Sequence, residues 1–230
     1  MAFMTDTSED MRTNHWFRAL SAAQQEALVR RSELVTLNPG EYLFRRGDPP
    51  NGFFGLKLGK LKASTLREDG KEAILAVIEA GNWFGQTSMT SRQPRLRDVV
   101  TLEGSSLFVV RAQAFDDLMQ NQAFFRSIAE LQSIHINWLY RMVEDATLHS
   151  TRARIARRLL LLASGDVTML SQSRADVTVS QDTLAMMLGI TRQTLSLELK
   201  AMAEQGAIVL RYGRIEISSR DMLSSFQESR

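Results

Sequence analysis

The chain has 230 residues, 44% of them hydrophobic and 23% charged, with a net charge of +2. That is an average globular composition, long enough for one large domain or two ordinary ones. It contains no cysteine, which excludes disulfides, iron–sulfur clusters, thiolate zinc sites and cysteine nucleophiles together.

No run of about 18 apolar residues occurs, so no membrane span and no membrane partner is expected. Residues 1–10 carry Asp6, Glu9 and Asp10 without an apolar core. They read as a loose tail and not as a secretory signal, and a cytoplasmic location is expected. The next signal is Ser21 with Gln24, the spacing of a capping box, which predicts a short helix running to Arg31.

From Glu33 to about Arg111 short apolar runs alternate with turn residues. Examples are Asn38-Pro39-Gly40, Leu58-Gly59-Lys60 and Ala80-Gly81-Asn82. Punctuation at this interval predicts an all-β roll or barrel. Asp69-Gly70 is a hairpin turn, since it supplies residues that tolerate positive φ.

Residues 121–145 contain neither Gly nor Pro and predict one long helix. Phe125, Ala129, Ile136, Leu139 and Val143 fall on one stripe; Phe124, Ile128, Leu131, Trp138 and Met142 fall on a second. A helix apolar on two faces must be covered on two sides. One side suits the β domain, and the other suits a symmetry mate, which predicts a parallel homodimer. Residues 147–150 read as a hinge. Thr151 is expected to cap a further helix to Ala163, with Ile155, Leu159 and Leu162 on its apolar face.

The stretch from Val177 to Ile217 is the most informative. Ser180 caps a helix to Leu188, Ala185 is small where two helices would cross, and Gly189 ends the helix. Thr191 caps a second helix to Glu204, with Leu195, Leu199 and Met202 inward. Helix, short glycine turn and second helix form the helix-turn-helix pattern. Arg192, Gln193 and Ser196 project from the N-terminal end of the second helix, the part that enters a major groove, and are types that read base edges. A hairpin with its turn at Arg211-Tyr212-Gly213-Arg214 follows as a wing. Residues 151–230 hold 11 Lys+Arg against 8 Asp+Glu, a net of +3, while the rest of the chain nets −1. The basic excess lies where phosphates would be met.

These residues resemble the Crp/Fnr family of transcription regulators over nearly the whole chain. The resemblance rests on Ser180 to Ser196, on Glu204-Gln-Gly206-Ala-Ile208 and on Gly213-Arg-Ile215-Glu-Ile217. In the β region it rests on Pro39-Gly-Glu-Tyr-Leu-Phe, Gly70-Lys-Glu-Ala-Ile-Leu and Gly81-Asn-Trp-Phe-Gly85. It implies an α+β architecture: a β-roll of the cyclic-nucleotide-binding, double-stranded jelly-roll type over residues 1–120, a dimerisation helix over 121–147 and a winged helix-turn-helix over 148–230. It also implies a non-enzymatic homodimer on double-stranded operator DNA, with RNA polymerase as a partner if the protein activates. The candidate DNA contacts are Ser180, Thr191, Arg192, Gln193, Ser196 and Lys200, with Arg211 and Arg214 on the wing. One departure is Leu197, where the family usually has Arg, so the operator need not match the common half-site.

A second departure concerns the effector. The family's nucleotide cassette uses Gly-Glu and Arg-Ser, with Glu on the ribose and Arg on the phosphate. Here the corresponding residues are Gly85-Gln86, followed by Thr87, and Arg95-Leu96. The family's adenine-contacting Thr-Ser pair falls on Leu139-Tyr140. Arg95 survives, but three of the four polar contacts are changed. Cyclic AMP is therefore not expected as effector and no cofactor is expected; open in its place are an anionic or apolar small molecule of unknown identity in the same pocket, or no ligand at all. The alternatives are a β-roll that binds a small molecule and signals to a protein, and a metal-dependent cupin-like enzyme. The enzyme needs clustered histidines and carboxylates on the strands, and His15, His135 and His149 all lie outside the β region.

Overall fold

The computed structural model describes residues 9–70, 72–165 and 174–227. The expected tail lies largely outside them. Three short helices open the described chain: α1 (Glu9–Thr13), α2 (His15–Ala19) and α3 (Ala22–Arg30). In α3 the Ser21 hydroxyl accepts from the Gln24 amide, and the Gln24 side chain accepts from the Ser21 N–H, completing the predicted capping box.

Eight strands follow: β1 (Glu33–Leu37), β2 (Tyr42–Phe44), β3 (Phe53–Leu58), β4 (Lys60–Leu66), β5 (Glu72–Glu79), β6 (Trp83–Phe84), β7 (Asp98–Thr101) and β8 (Ser105–Val110). A short helix, α4 (Gln86–Ser91), lies between β6 and β7. They form two antiparallel sheets, ordered β1-β8-β3-β6 and β2-β7-β4-β5. The β4–β5 hairpin turns at the expected Asp69-Gly70, with Leu66 opposite Glu72. The space between the sheets is filled by Phe44, Phe54, Leu56, Leu61, Val99 and Leu107.

Helix α5 (Ala112–Met119) leads into α6 (Gln122–Leu148). The second apolar stripe of α6 is buried at Phe124, Ile128 and Leu131. It packs in one cluster with Phe53 and Trp83 of the roll, Phe115 of α5, and Trp16 and Phe17 of α2. Helix α2 was not anticipated from the sequence. Its Phe17 ring stacks on Trp83 at 5.8 Å, and Trp16 donates its indole N–H to the Ser127 carbonyl at 2.6 Å. The first stripe is uncovered: Phe125 is 53% exposed, Ile136 50%, Leu139 47% and Val143 62%.

The C-terminal part comprises α7 (Thr151–Ala163), β9 (Asp176–Val177), α8 (Gln181–Leu188), α9 (Arg192–Glu204), β10 (Ile208–Arg211), β11 (Arg214–Ile217) and α10 (Arg220–Ser225). Three expectations are corrected here. Helix α6 continues to Leu148, so the break between it and α7 shrinks to His149 and Ser150. Ser150, not Thr151, caps α7, its hydroxyl accepting from the Ala153 N–H; the helix simply starts one residue earlier. The wing turn is only Tyr212-Gly213, since Arg211 and Arg214 already pair across the two strands. The wing also gains a third strand, β9, a pairing that no local signal marks.

This C-terminal unit shares an apolar cluster with β5, where Ile74 and Val77 join Met187 and Leu188 of α8. Polar contacts border the seam. Glu79 takes ion pairs from Lys60, at 3.1 Å, and from Arg174, while Lys60 also reaches the Thr178 hydroxyl at 3.2 Å.

Candidate nucleic-acid interface and effector cavity

Helices α8 and α9 are set by local chemistry at their ends. The Ser180 hydroxyl accepts from the Thr183 N–H at 3.0 Å, and the Thr191 hydroxyl accepts from the Thr194 N–H at 3.1 Å. Each satisfies a donor that the first helical turn leaves without a partner. Gly189, at φ +66°, ends α8 in the left-handed conformation. Leu184, Leu195, Leu199 and Met202 are completely buried. That burial fixes the rotation of α9 and turns Arg192, Gln193 and Lys200 to solvent, with Ser196 half-buried.

Arg192 pairs with Asp182 across the turn at 3.4 Å, both side chains being more than half exposed. A surface pair of this kind contributes about 0–1 kcal/mol, so a guanine edge can displace it. Leu197 is 69% exposed on the same helix. On the wing, Glu216 holds Arg211 at 3.2 Å and Arg214 at 2.8 Å, and Asp176 holds Arg214 at 3.5 Å. The two wing cations thus face two carboxylates, and a phosphate would have to exchange with them.

The second feature is a cavity of about 600 Å³ between the β-roll and α6, a size typical of small-molecule sites. Gly85, Gln86, Thr87, Arg95, Leu96 and Leu139 line it. Tyr140, grouped with them from the resemblance, does not; it is 70% exposed on the outer side of α6. A helix puts adjacent residues about 100° apart, so Leu139 and Tyr140 cannot both turn inward. Gly85 caps α4 at φ +93°, and a Cβ there would meet the Phe54 ring at 2.9 Å. Only glycine lets the chain turn so close to the β3 aromatics.

Arg95 is almost fully buried. Its guanidinium lies against the Phe44 and Phe54 rings and donates to the Gly85 carbonyl at 3.0 Å, to Asn51 Oδ1 at 3.1 Å and to the Gly52 carbonyl at 2.5 Å. Burial pulls its pKa down to about 10, partly offset by Asp48. Its terminal N–H groups therefore tie together the loops that frame the cavity.

Further polar residues line the cavity that were not placed there from the sequence, Thr90, Gln132, His135 and Arg97 among them, with Ser88 and Ser91 beside them. Gln86 Nε2 lies 2.7 Å from His135 Nδ1, Gln132 donates to the Thr90 hydroxyl at 2.7 Å, and that hydroxyl donates to the Gln86 carbonyl. Burial, and secondarily the Arg97 guanidinium, push His135 down to about 4. His135 is thus neutral near pH 7, its Nδ1 accepting from Gln86 and its Nε2 carrying the proton. Burial also lowers the pKa of Arg97. The one local signal for this residue was a second arginine two positions after Arg95, just before β7. Among the described residues no group of histidines and carboxylates could hold a metal ion, and no helix is long and apolar enough to cross a membrane.

Comparison with known proteins matches residues 34–122 to the cyclic nucleotide-binding domain and residues 153–226 to the Crp-like helix-turn-helix domain. A cyclic AMP receptor protein of Thermus thermophilus is 24% identical over 80% of this chain and 83% of its own length. A CRP-like cAMP-activated global transcriptional regulator of Mycobacterium tuberculosis is 24% identical over 90% of this chain and 94% of its own. The fold is that of a CRP/FNR-family transcriptional regulator of Thermus thermophilus, solved by crystallography, with a TM-score of 0.70 at 21% identity over 86% of this chain and 100% of that one. With both domain matches in the order and place that the β-roll and the helix-turn-helix occupy, the chain belongs to the Crp/Fnr family of transcription regulators.

Proposed function

We propose that the chain acts as a homodimeric, sequence-specific DNA-binding transcription regulator whose effector domain does not respond to cyclic AMP. In this reading residues 1–120 form the sensor, 121–147 the dimer helix and 148–230 the DNA-binding part. The candidate contacts on α8, α9 and the wing are the eight named from the sequence. The protein works in the cytoplasm without catalysis, and RNA polymerase is its further partner if it activates. The observation that carries the reading is the polar N-terminal end of α9, turned to solvent by a buried apolar back. The uncovered stripe of Phe125, Ile136, Leu139 and Val143 supports the dimer. An apolar row of this length on a helix needs a partner surface, and a second copy supplies one of matching shape along a twofold axis.

The case against cyclic AMP rests on the cassette. Gln86 is neutral and already contacts His135, Leu96 has no hydroxyl, and the Arg95 terminal N–H groups are held by protein oxygens. A cyclic phosphate would have to displace protein oxygens from the Arg95 terminal nitrogens, and a ribose would find no carboxylate in the lining. Selection of bound sequences from a random DNA pool, with calorimetry against cyclic AMP, tests both halves. An enriched twofold-symmetric site and no cyclic AMP heat are expected. A pool that stays unenriched would refute the DNA reading, and micromolar cyclic AMP affinity would refute the effector reading.

A further inference from the structure

We infer that the β-roll cavity binds a small organic carboxylate with an apolar body, anchored by Arg97. The inference rests on reading the cavity as an effector site.

The charge balance of the cavity comes first. Arg95 and Arg97 both line it, and no aspartate or glutamate does among the described residues. Both terminal nitrogens of Arg95 are held by protein oxygens of Gly52, Gly85 and Asn51. Arg97 is different. Among the described residues no hydrogen bond or ion pair holds it, and the group that feels its charge in the cavity is the neutral His135. A half-buried guanidinium without a counter-charge is an unfavourable arrangement in the free protein, and an anion corrects it.

The remaining polar groups narrow the choice of anion. Gln132, Thr90, Gln86 and His135 are bonded in a chain to one another. The Thr87, Ser88 and Ser91 hydroxyls also line the cavity; all of these groups are neutral and add hydrogen bonds but no charge. A single guanidinium fork matches a single carboxylate, which it can hold through two parallel N–H···O bonds. A phosphate carries more charge than this one guanidinium balances. The rest of the wall is apolar: Phe44, Ile78, Phe84, Val99, Trp138 and Leu139. Carboxylate at one end and hydrocarbon over the remainder is the ligand that fits both.

The position also explains a route to the DNA-binding part. Trp138 and Ala76 line this cavity and also the small gap at the seam with α7 and α8. Arg158 of α7 lies over the Trp138 ring at 5.9 Å. A ligand body packed on Trp138 therefore presses on the residue that the DNA-binding unit rests against.

The test uses the full-length protein with 2-naphthoate and octanoate as probes, and 2-naphthylmethanol as the uncharged control. Thermal shift and calorimetry are run on the wild type, Arg97→Gln and Arg97→Lys. Binding of at least one carboxylate is expected, weakened roughly ten- to a hundredfold in Arg97→Gln and partly kept in Arg97→Lys. Binding of 2-naphthylmethanol should be weak and unchanged across the variants. Without ligand, Arg97→Gln should melt no lower than the wild type, because it removes a charge that has no partner. Equal affinity for the alcohol, undiminished carboxylate binding in Arg97→Gln, a marked loss of stability in that variant, or no binding of either carboxylate at millimolar concentration would each overturn the proposal. If the protein still selects a DNA site in that event, only the assignment of the cavity falls and the DNA-binding reading stands.

Discussion

The polar ends of α9 and the polar groups of the cavity are built in opposite ways. On α9 the apolar residues turn inward and the chemistry turns outward, so Arg192 and Gln193 stand in water with at most a weak surface pair. In the cavity the polar residues are turned toward protein. Arg95 is held by carbonyls, Gln86 by His135, and Gln132 by Thr90, leaving Arg97 as the lining cation without such a hold. The same residue type therefore has different consequences. An outward arginine contributes to recognition and little to stability; an inward one with protein acceptors contributes to stability and leaves little for a ligand.

Helix α6 lies between these regions, and the largest effect is expected there. Ile136 lines the cavity and is half exposed on the uncovered stripe. Ile136→Asp would bury an unpaired charge at the dimer seam, costing about 3–5 kcal/mol of association free energy. Light scattering should report monomer mass, with operator binding reduced in parallel. A retained dimer would place the seam elsewhere.

Arg95→Met tests the inward class. It leaves the Gly52 and Gly85 carbonyls and Asn51 without their donor inside the protein. A loss of roughly 2–4 kcal/mol in urea unfolding is expected. A near-neutral result would mean that Arg95 is free for a ligand after all.

His135 gives a pH dependence. Its pKa is depressed to about 4 in the folded protein, against about 6.5 when unfolded. Between those values the unfolded chain binds the extra proton, so the contribution is complete above about pH 6.5 and is lost as pH falls toward 4. Roughly 2 kcal/mol should be lost between pH 7 and pH 5. His135→Gln, which keeps an acceptor for Gln86, should show a smaller loss over the same range. Equal slopes in the two proteins would remove His135 from the account.

The outward class should show itself in binding and not in unfolding. Arg192→Ala is expected to lose about 1–3 kcal/mol of discrimination at one position of each half-site, with an unchanged denaturation midpoint. Equal loss on specific and random DNA would make Arg192 a phosphate anchor. Arg214→Ala should have the smallest effect. It should weaken all sequences alike and lower the salt slope by about one unit per subunit or less, since Glu216 and Asp176 already compete for this side chain. A change of sequence preference in that variant would contradict the wing assignment.

The chain's own order was enough for several elements whose ends are set locally. The capping box of α3, the Asp69-Gly70 hairpin, and the Ser180, Gly189 and Thr191 signals of the helix-turn-helix all act within a few residues, and the periodicity of α8 and α9 fixes which side faces solvent. The two stripes of α6 were equally legible, because a helix turns each residue by a constant angle. Tertiary structure decided what depends on distant partners: that α2 packs its Trp16 and Phe17 on Trp83, that β9 joins the wing, and that the C-terminal unit rests on β5. It decided the cavity too. Arg95 and Arg97 are the same residue type two positions apart in the segment before β7, and both line the cavity. Whether each guanidinium finds an acceptor depends on Gly52, Gly85 and Asn51 arriving from other loops, a matter of close packing that no local spacing encodes.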